Sequence, residues 1–251
     1  MAWDTSNQYF SGQGIVLLAR RDAVTGKPMG FTPIGNVSNL KISIALSTIE
    51  HKESQTGQRA IDLRLTTETK ASLSMTVENF ISQNLADSLR GQNTVIPGGT
   101  VADELVAAYS GKIMSLARVK VSAVTVKNGT TTLVAGTDYT VNTEAGSIKL
   151  LPGLIGFVDG GQLKVSYTFA AQTRIDALTD QANELYMRFE GLNTAQGNAP
   201  VVVEIFKFLT DPLKELSLIG DAIQQFTLDG SVLADPLQLT GSKFFKVTQL
   251  S

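Results

Sequence analysis

Asn36-Val37-Ser38-Asn39-Leu40-Lys41-Ile42-Ser43-Ile44-Ala45-Leu46-Ser47 opens the stretch that decides the fold, and that stretch runs on to Gly91. Leu40, Ile42, Ile44 and Leu46 alternate with Lys41, Ser43, Ala45 and Ser47. Ile61, Leu63 and Leu65 alternate with Asp62, Arg64 and Thr66, and Ala71, Leu73, Met75 and Val77 with Ser72, Ser74 and Thr76. A period of two marks strands with one dry and one wet face. The pattern predicts three strands, with a tight turn between Thr66 and Ala71. A helix is expected next, with Asn79 as N-cap, Gly91 at C′, and Ile81, Leu85 and Leu89 as the core-facing stripe at i, i+4, i+8.

Between the first two strands lies Ser47–Ala60, STIEHKESQTGQRA. Structureless loops longer than about 12–15 residues are uncommon unless they are functional or disordered. This one carries Glu50, His51, Lys52, Glu53, Gln55 and Arg59, with Gly57 as a flexible point. On loop chemistry alone it reads equally as a solvated hairpin end.

Working outward, Met1–Gly14 reads as an arm bearing Trp3, Tyr9 and Phe10, and Ile15–Ala19 as a short buried strand. Val101–Tyr109 fits either a short helix or an extended segment. From Ala117 to Ala170 the character changes to short β-rich runs broken by Asn128-Gly129, Glu144-Ala145-Gly146, Pro152-Gly153 and Asp159-Gly160-Gly161. Asn-Gly between such runs is a strong hairpin signal, and regular spacing suggests a small sandwich. The expectation is therefore a β domain of residues 1–116 and 171–251, interrupted by a sandwich-like insert at 117–170. In the second outer segment, Leu185, Met187 and Phe189 alternate with polar neighbours. Val201–Leu209, Phe226–Leu228 and Phe244–Val247 supply further strands, and Asp211-Pro212 starts a turn.

With 251 residues, 43% of them hydrophobic, the chain is long enough for a sizeable core. A net charge of −2 and a pI near 5.5 give no basic signature of nucleic-acid binding. No cysteine is present and His51 is the single histidine, which removes thiol chemistry and Cys-rich zinc sites. The N-terminus has no basic n-region or apolar h-region, and no apolar run reaches the roughly 18 residues of a membrane span. The expectation is a protein made and assembled in a cytoplasm, without a membrane. Zinc-protease, nucleophile-elbow, phosphate-loop and EF-hand patterns are all absent, so neither enzymatic activity nor a cofactor is expected. A hydrolase with two distant carboxylates is the remaining enzymatic reading. A carbohydrate-binding module stacking sugars on Trp3, Tyr139 and Tyr167 is another alternative.

Several phrases, in their order and spacing, resemble the tail tube (major tail) proteins of long-tailed, non-contractile bacteriophages. They are Gly35–Ser43, Glu50–Arg59, Ala71–Met75, Asn84–Gly91, Arg188–Asn193 and Pro212–Gly220, and Gly136–Val141 resembles the β-domains that decorate some of these tubes. The resemblance implies a mainly β fold: a tail-tube-type β-sandwich or barrel subunit with one flanking helix, plus a small Ig-like insert. It implies hexameric rings stacked into a conduit for genome delivery, built in the host cytoplasm as part of the virion tail. The implied partners are other copies of the chain and the tail initiation or baseplate, tape-measure and terminator proteins, with DNA passing through unbound. It gives Glu50, His51, Lys52, Glu53, Gln55 and Arg59 an inter-ring role. It makes Lys41, Ser43, Asp62, Arg64, Thr66, Ser72, Ser74 and Thr76 candidates to line the lumen. A tailocin or related injection system is the neighbouring reading.

Overall fold

The computed structural model describes residues 8–179 and 184–249, so Trp3 lies outside the described residues. The chain forms two compact units, Met1–Asn93 with Ile175–Ser251, and Thr94–Arg174. The second unit is wider than the expected 117–170, because the strands flanking Val101 and Met114 belong to it.

In the first unit, β1 (Gly12–Arg20), β2 (Thr32–Pro33), β3 (Val37–Lys52) and β4 (Ile61–Val77) precede helix α1 (Ser82–Ser88). β5 (Gln92–Ile96) leads into the second unit, which holds β6 (Gly99–Ala107), β7 (Ile113–Ser115), β8 (Val121–Asn128), β9 (Thr131–Thr132), β10 (Tyr139–Asn142), β11 (Ser147–Leu150) and β12 (Gln162–Phe169). β13 (Gln172–Asp176) pairs with β5. β14 (Glu184–Asn193), β15 (Ala199–Thr210), β16 (Phe226–Val232) and β17 (Phe245–Gln249) complete the first unit. The protein is thus mainly β, with antiparallel sheets and one α-helix among the described residues.

The principal sheet runs β2-β1-β14-β15-β16-β4-β3, with β17 also on β15. β15 serves two neighbours along one side: Val201–Ile205 pair with β17 and Phe208–Thr210 with β16. Inward residues of every long strand meet in one core, including Val16, Leu18, Leu73, Met75, Met187, Ile205, Phe208 and Leu228. Gly14 lies opposite Gly191, and a Cβ there would strike the Glu190 carbonyl oxygen, so only glycine lets β1 approach β14 this closely.

Three local expectations are corrected. No turn separates Thr66 from Ala71. Thr69 continues the odd-numbered alternation, a bulge at Thr67 shifts it, and β4 runs unbroken through 17 residues. The helix is only Ser82–Ser88, its N-cap position is Ile81 rather than Asn79, and its buried residues are Asn84, Ala86 and Ser88, not Ile81, Leu85 and Leu89. Small and hydrogen-bonding residues face inward because Asn84 donates to the carbonyl oxygens of Ile34 (2.7 Å) and Asn79 (3.1 Å), tying the helix to the chain on either side of β3 and β4. The position expected for Gly91 is taken by Arg90 (φ 48°), while the Gly91 N–H bonds to Ala86 O at 2.8 Å, a Schellman-type ending. Val101–Tyr109 resolves as strand β6. Of the expected arm, Gly12–Gly14 is strand, and Asn193 holds the backbone at Tyr9 and Ser11.

The second unit is two sheets, β6-β12-β8-β9 and β10-β11-β7, closed over their own core of Val106, Leu116, Val126, Tyr139, Ile148, Leu163, Val165 and Tyr167. None of these core residues overlaps the first core. Replacing residues 97–171 with a short Gly/Ser linker is therefore expected to leave the first unit with a single cooperative unfolding transition, measured by circular dichroism against urea.

On the other side of the principal sheet, Arg21 (side chain 4% exposed) pairs with Asp235 (0%) and, at 3.1 Å, with Glu184, which also holds Lys207 at 2.6 Å. This pairing pins the 233–243 segment across the sheet. Removing one partner of a buried pair strands the other charge, which costs about 3–5 kcal/mol. Arg21→Met is expected to lose stability in that range, and Arg64→Met on the exposed ribbon less than about 1 kcal/mol, by urea unfolding.

Candidate functional site

The first part of the expected loop Ser47–Ala60 is strand. β3 continues to Lys52 and β4 begins at Ile61, leaving only residues 53–60 as a tip. Asp62 and Thr67 are extra residues on β4, opposite register steps in β3. The result is a two-stranded ribbon that leaves the sheet where the burial of β4 stops, below Ala71. Ile44, Leu46, Ile49, Ile61, Leu63 and Leu65 on it are each 49–62% exposed. Isolated hairpins are marginal in water, and clustered exposed apolar side chains mark interaction surfaces.

Phase explains which residues share a face. At the base, Leu40/Met75, Ile42/Leu73 and Ile44/Ala71 are direct pairs on the core side. Lys41/Ser74 and Ser43/Ser72 lie opposite them on the wet side, where Thr227, Asp229 and Ser231 of β16 extend the row. The bulge at Thr67, whose hydroxyl donates to Ser47 O at 3.1 Å, shifts β4 by one position. Beyond it Ile49/Leu65 and His51/Leu63 pair on the local face that carried Lys41 and Ser43 lower down, while Glu50/Arg64 and Thr48/Thr66 pair on the other. Of the lumen candidates, Lys41, Ser43, Ser72, Ser74 and Thr76 are therefore brought together, while Arg64 and Thr66 are separated from them and Asp62 sits at the second irregularity. Ser74 donates to Asp229 at 2.6 Å, and Lys41 has no carboxylate partner among the described residues.

At the tip, most charges are already matched. Glu50 faces Arg64 at 3.8 Å, and His51 Nδ1 lies 2.6 Å from Asp62. Glu53 accepts from the Thr56 hydroxyl (2.5 Å) and the N–H groups of Thr56 (2.9 Å) and Gln55 (2.7 Å). Its own N–H closes the tip on Ala60 O at 2.8 Å. Gln55 thus contributes its backbone, not its side chain. Lys52 and Arg59 carry no ion pair among the described residues.

Among the described residues, β3 pairs only with β4, and β1 is covered on its outer side only at Leu17 and Leu18 by β2. Both ends of the sheet are therefore unsatisfied edges. They line one groove, with Gly12, Gly14 and Val16 on one side, Leu40 and Ile42 on the other, and Phe189 between. Pattern reading missed this groove because strand order is not local; only the register reveals which strands are terminal. No cluster of metal-ligating side chains is gathered among the described residues, and no described helix is long and apolar enough to cross a membrane. Tyr139 and Tyr167 are core residues of the second unit, so neither offers a face to a sugar.

The Glu53 carboxyl is lowered to about 2 by the Thr56 hydroxyl and the Thr56 and Gln55 N–H groups. A depressed carboxylate contributes order above its unfolded value and loses it as pH falls through the folded value. The Gln55 and Thr56 amide signals are accordingly expected to hold their positions through pH 4.5 and to move only as pH approaches about 2, followed by NMR titration; movement near 4.5 contradicts the capping geometry.

No curated protein matches the chain. A family model described as "Protein of unknown function UCP028589" matches residues 9–248, nearly the full length, and the chain belongs to that family.

Proposed function

We propose that this chain is a structural subunit that assembles with copies of itself into stacked rings, forming the tail tube of a long-tailed, non-contractile bacteriophage. The carrying observation is the β3–β4 ribbon, whose exposed apolar residues nothing in the described chain covers. Support also comes from the two unsatisfied sheet ends. A neighbouring copy that pairs one of these edges with a different strand of its own makes a heterologous contact, and heterologous contacts close into rings when the rotation allows. Ring closure hides edges that otherwise template uncontrolled pairing.

In this reading the rings are hexameric and the tube is the conduit for the genome. The wet face of β3, β4 and β16 suits a conduit wall: it is rich in hydroxyls, with Lys41 and Asp229 on one cross-strand row. Neutralising phosphates with lysine or arginine produces salt-dependent adhesion, which a conduit must avoid. The partners are initiation or baseplate, tape-measure and terminator proteins, and the place of action is the virion tail, assembled in the host cytoplasm. A tailocin or related injection system uses the same assembly with different cargo. Neither a catalytic role nor a cofactor belongs to this reading.

Negative-stain microscopy and light scattering across a concentration series test it. Rings or tubes are expected from the wild-type chain. Leu63→Asp/Leu65→Asp is expected to remain folded by circular dichroism and monomeric by light scattering. A wild-type chain that stays monomeric at every concentration, with or without added tail initiation proteins, overturns the proposal.

A further inference from the structure

A second apolar surface lies in the first unit, far along the strands from the ribbon. Between β15 and β16 the segment Asp211–Gln225 has no regular structure. It exposes Leu218 (79%), Ile219 (95%) and Ile223 (84%). Its start is anchored: the Leu213 N–H bonds to Ser88 O at 2.8 Å, and Asp211 N–H to Asp229 O at 2.8 Å. Irregular segments of this length are uncommon without a role, and one carrying three bare aliphatic side chains has no intramolecular reason to stay uncovered.

Register places the two surfaces at opposite ends of one strand. Gln225 runs directly into Phe226, which pairs with Val77, the last residue of β4. The ribbon tip ends just before Ile61, the first residue of that strand. At about 3.3 Å per residue, β4 separates them by roughly 55 Å. A ribbon therefore cannot cover the 211–225 segment of its own chain. In copies stacked end to end, a ribbon leaving one end meets the opposite end of the next copy.

Charge makes the match specific. On the ribbon, Glu50 is engaged by Arg64, Asp62 by His51, and Glu53 by its own turn, leaving the cations Lys52 and Arg59 without partners among the described residues. On the segment, Asp211 is engaged by Arg90 at 3.9 Å and Lys214 by Asp229 at 3.4 Å, leaving the anions Glu215 and Asp221 without partners among the described residues. Two unmatched cations at the tip end of the ribbon, beyond Ile49, Leu63 and Leu65, are thus matched in number and sign by two anions beside Leu218, Ile219 and Ile223.

We infer that the ribbon of one copy docks on the Leu213–Gln225 segment of a second copy, aliphatic face to aliphatic face, with Lys52 and Arg59 meeting Glu215 and Asp221. The inference rests on the stacked-ring reading and adds to it the surface that receives the ribbon. Docking buries the bare side chains of both elements at once, and it orders the segment only where two copies meet. Exposed charge pairs contribute little singly, so they set which surfaces meet while the apolar contact holds them.

The chain has no cysteine, so introduced ones are unique probes. Leu63→Cys and Ile219→Cys variants are mixed, allowed to assemble, and treated with a short bis-maleimide. A covalent dimer whose mapped peptides join positions 63 and 219, formed in the mixture and in neither variant alone, is the expected result. Assemblies visible by microscopy but lacking that link overturn the docking inference and leave the tube reading standing. Absence of any assembly overturns both. As a second arm, Lys52→Glu/Arg59→Glu is expected to raise the concentration needed for assembly about tenfold, and adding Glu215→Lys/Asp221→Lys to the same chain to restore it. Reversal of the cations without effect, or without rescue by the second pair, overturns the assigned charge match.

Discussion

A β-sheet that does not close on itself ends in two rows of backbone donors and acceptors, and those groups need partners wherever water is excluded. The principal sheet of this protein depends on that constraint. Its interior strands are satisfied on both sides. β15 even divides one side between β16 and β17. The terminal strands are not. β2 covers two residues of β1, and no described strand pairs with the outer edge of β3. Instead of ending β3 early or studding it with prolines, the chain extends it into a long ribbon with aliphatic side chains. That is the opposite of how a monomer protects an edge, and it is the physical reason for reading this surface as an interface.

The rest of the first unit is arranged so that this edge is held rigidly. Inward residues of β4 such as Leu73 and Met75 are fully buried, so the base of the ribbon is clamped by the core. Asn84 fastens the helix beside the start of β3, and the Arg21–Asp235 pair fixes the return segment across the other face. Bulges at Asp62 and Thr67 then change the phase of β4, allowing one hairpin to be core-facing at its base and apolar on its other local face farther out. The second unit has a separate core and a different role in the chain's economy: its strands satisfy one another, and its boundaries fall at the paired strands β5 and β13.

Much of this was legible in the residues. Alternation in 40–46, 61–66 and 71–77 marks strands because side chains on a pleated backbone point alternately to two faces, a local fact. Asn128-Gly129 marks its hairpin for an equally local reason, although Asn128 ends β8 opposite Thr131 and the turn itself is Gly129 (φ 59°) and Thr130. The helix was visible, but its buried side was not. Ile81, Leu85 and Leu89 have the right spacing, yet Ile81 and Leu89 fall at the two caps of a seven-residue helix whose buried residues are Asn84, Ala86 and Ser88, with Asn84 held by its hydrogen bond to Ile34 O. Likewise the polar stretch 47–60 reads as one loop because charges usually sit in loops, yet only residues 53–60 are irregular. Cross-strand pairing converts Glu50 with Arg64, and His51 beside Asp62, into strand surface.

By itself, the sequence determined the elements and their faces: strands where the period is two, turns where glycine and asparagine allow them, and a chain without the residues of the familiar catalytic motifs. Tertiary structure alone decided strand order, and with it which edges are left bare. It decided the phase change at Thr67, which separates Arg64 and Thr66 from Ser43 and Ser72 although all four fit one alternation on paper. It also decided that the ribbon and the 211–225 segment lie at opposite ends of β4. Side-chain periodicity is set by a residue's immediate neighbours, whereas edges, register and the distance between surfaces are set by pairings between residues far apart in the chain, which no local pattern encodes.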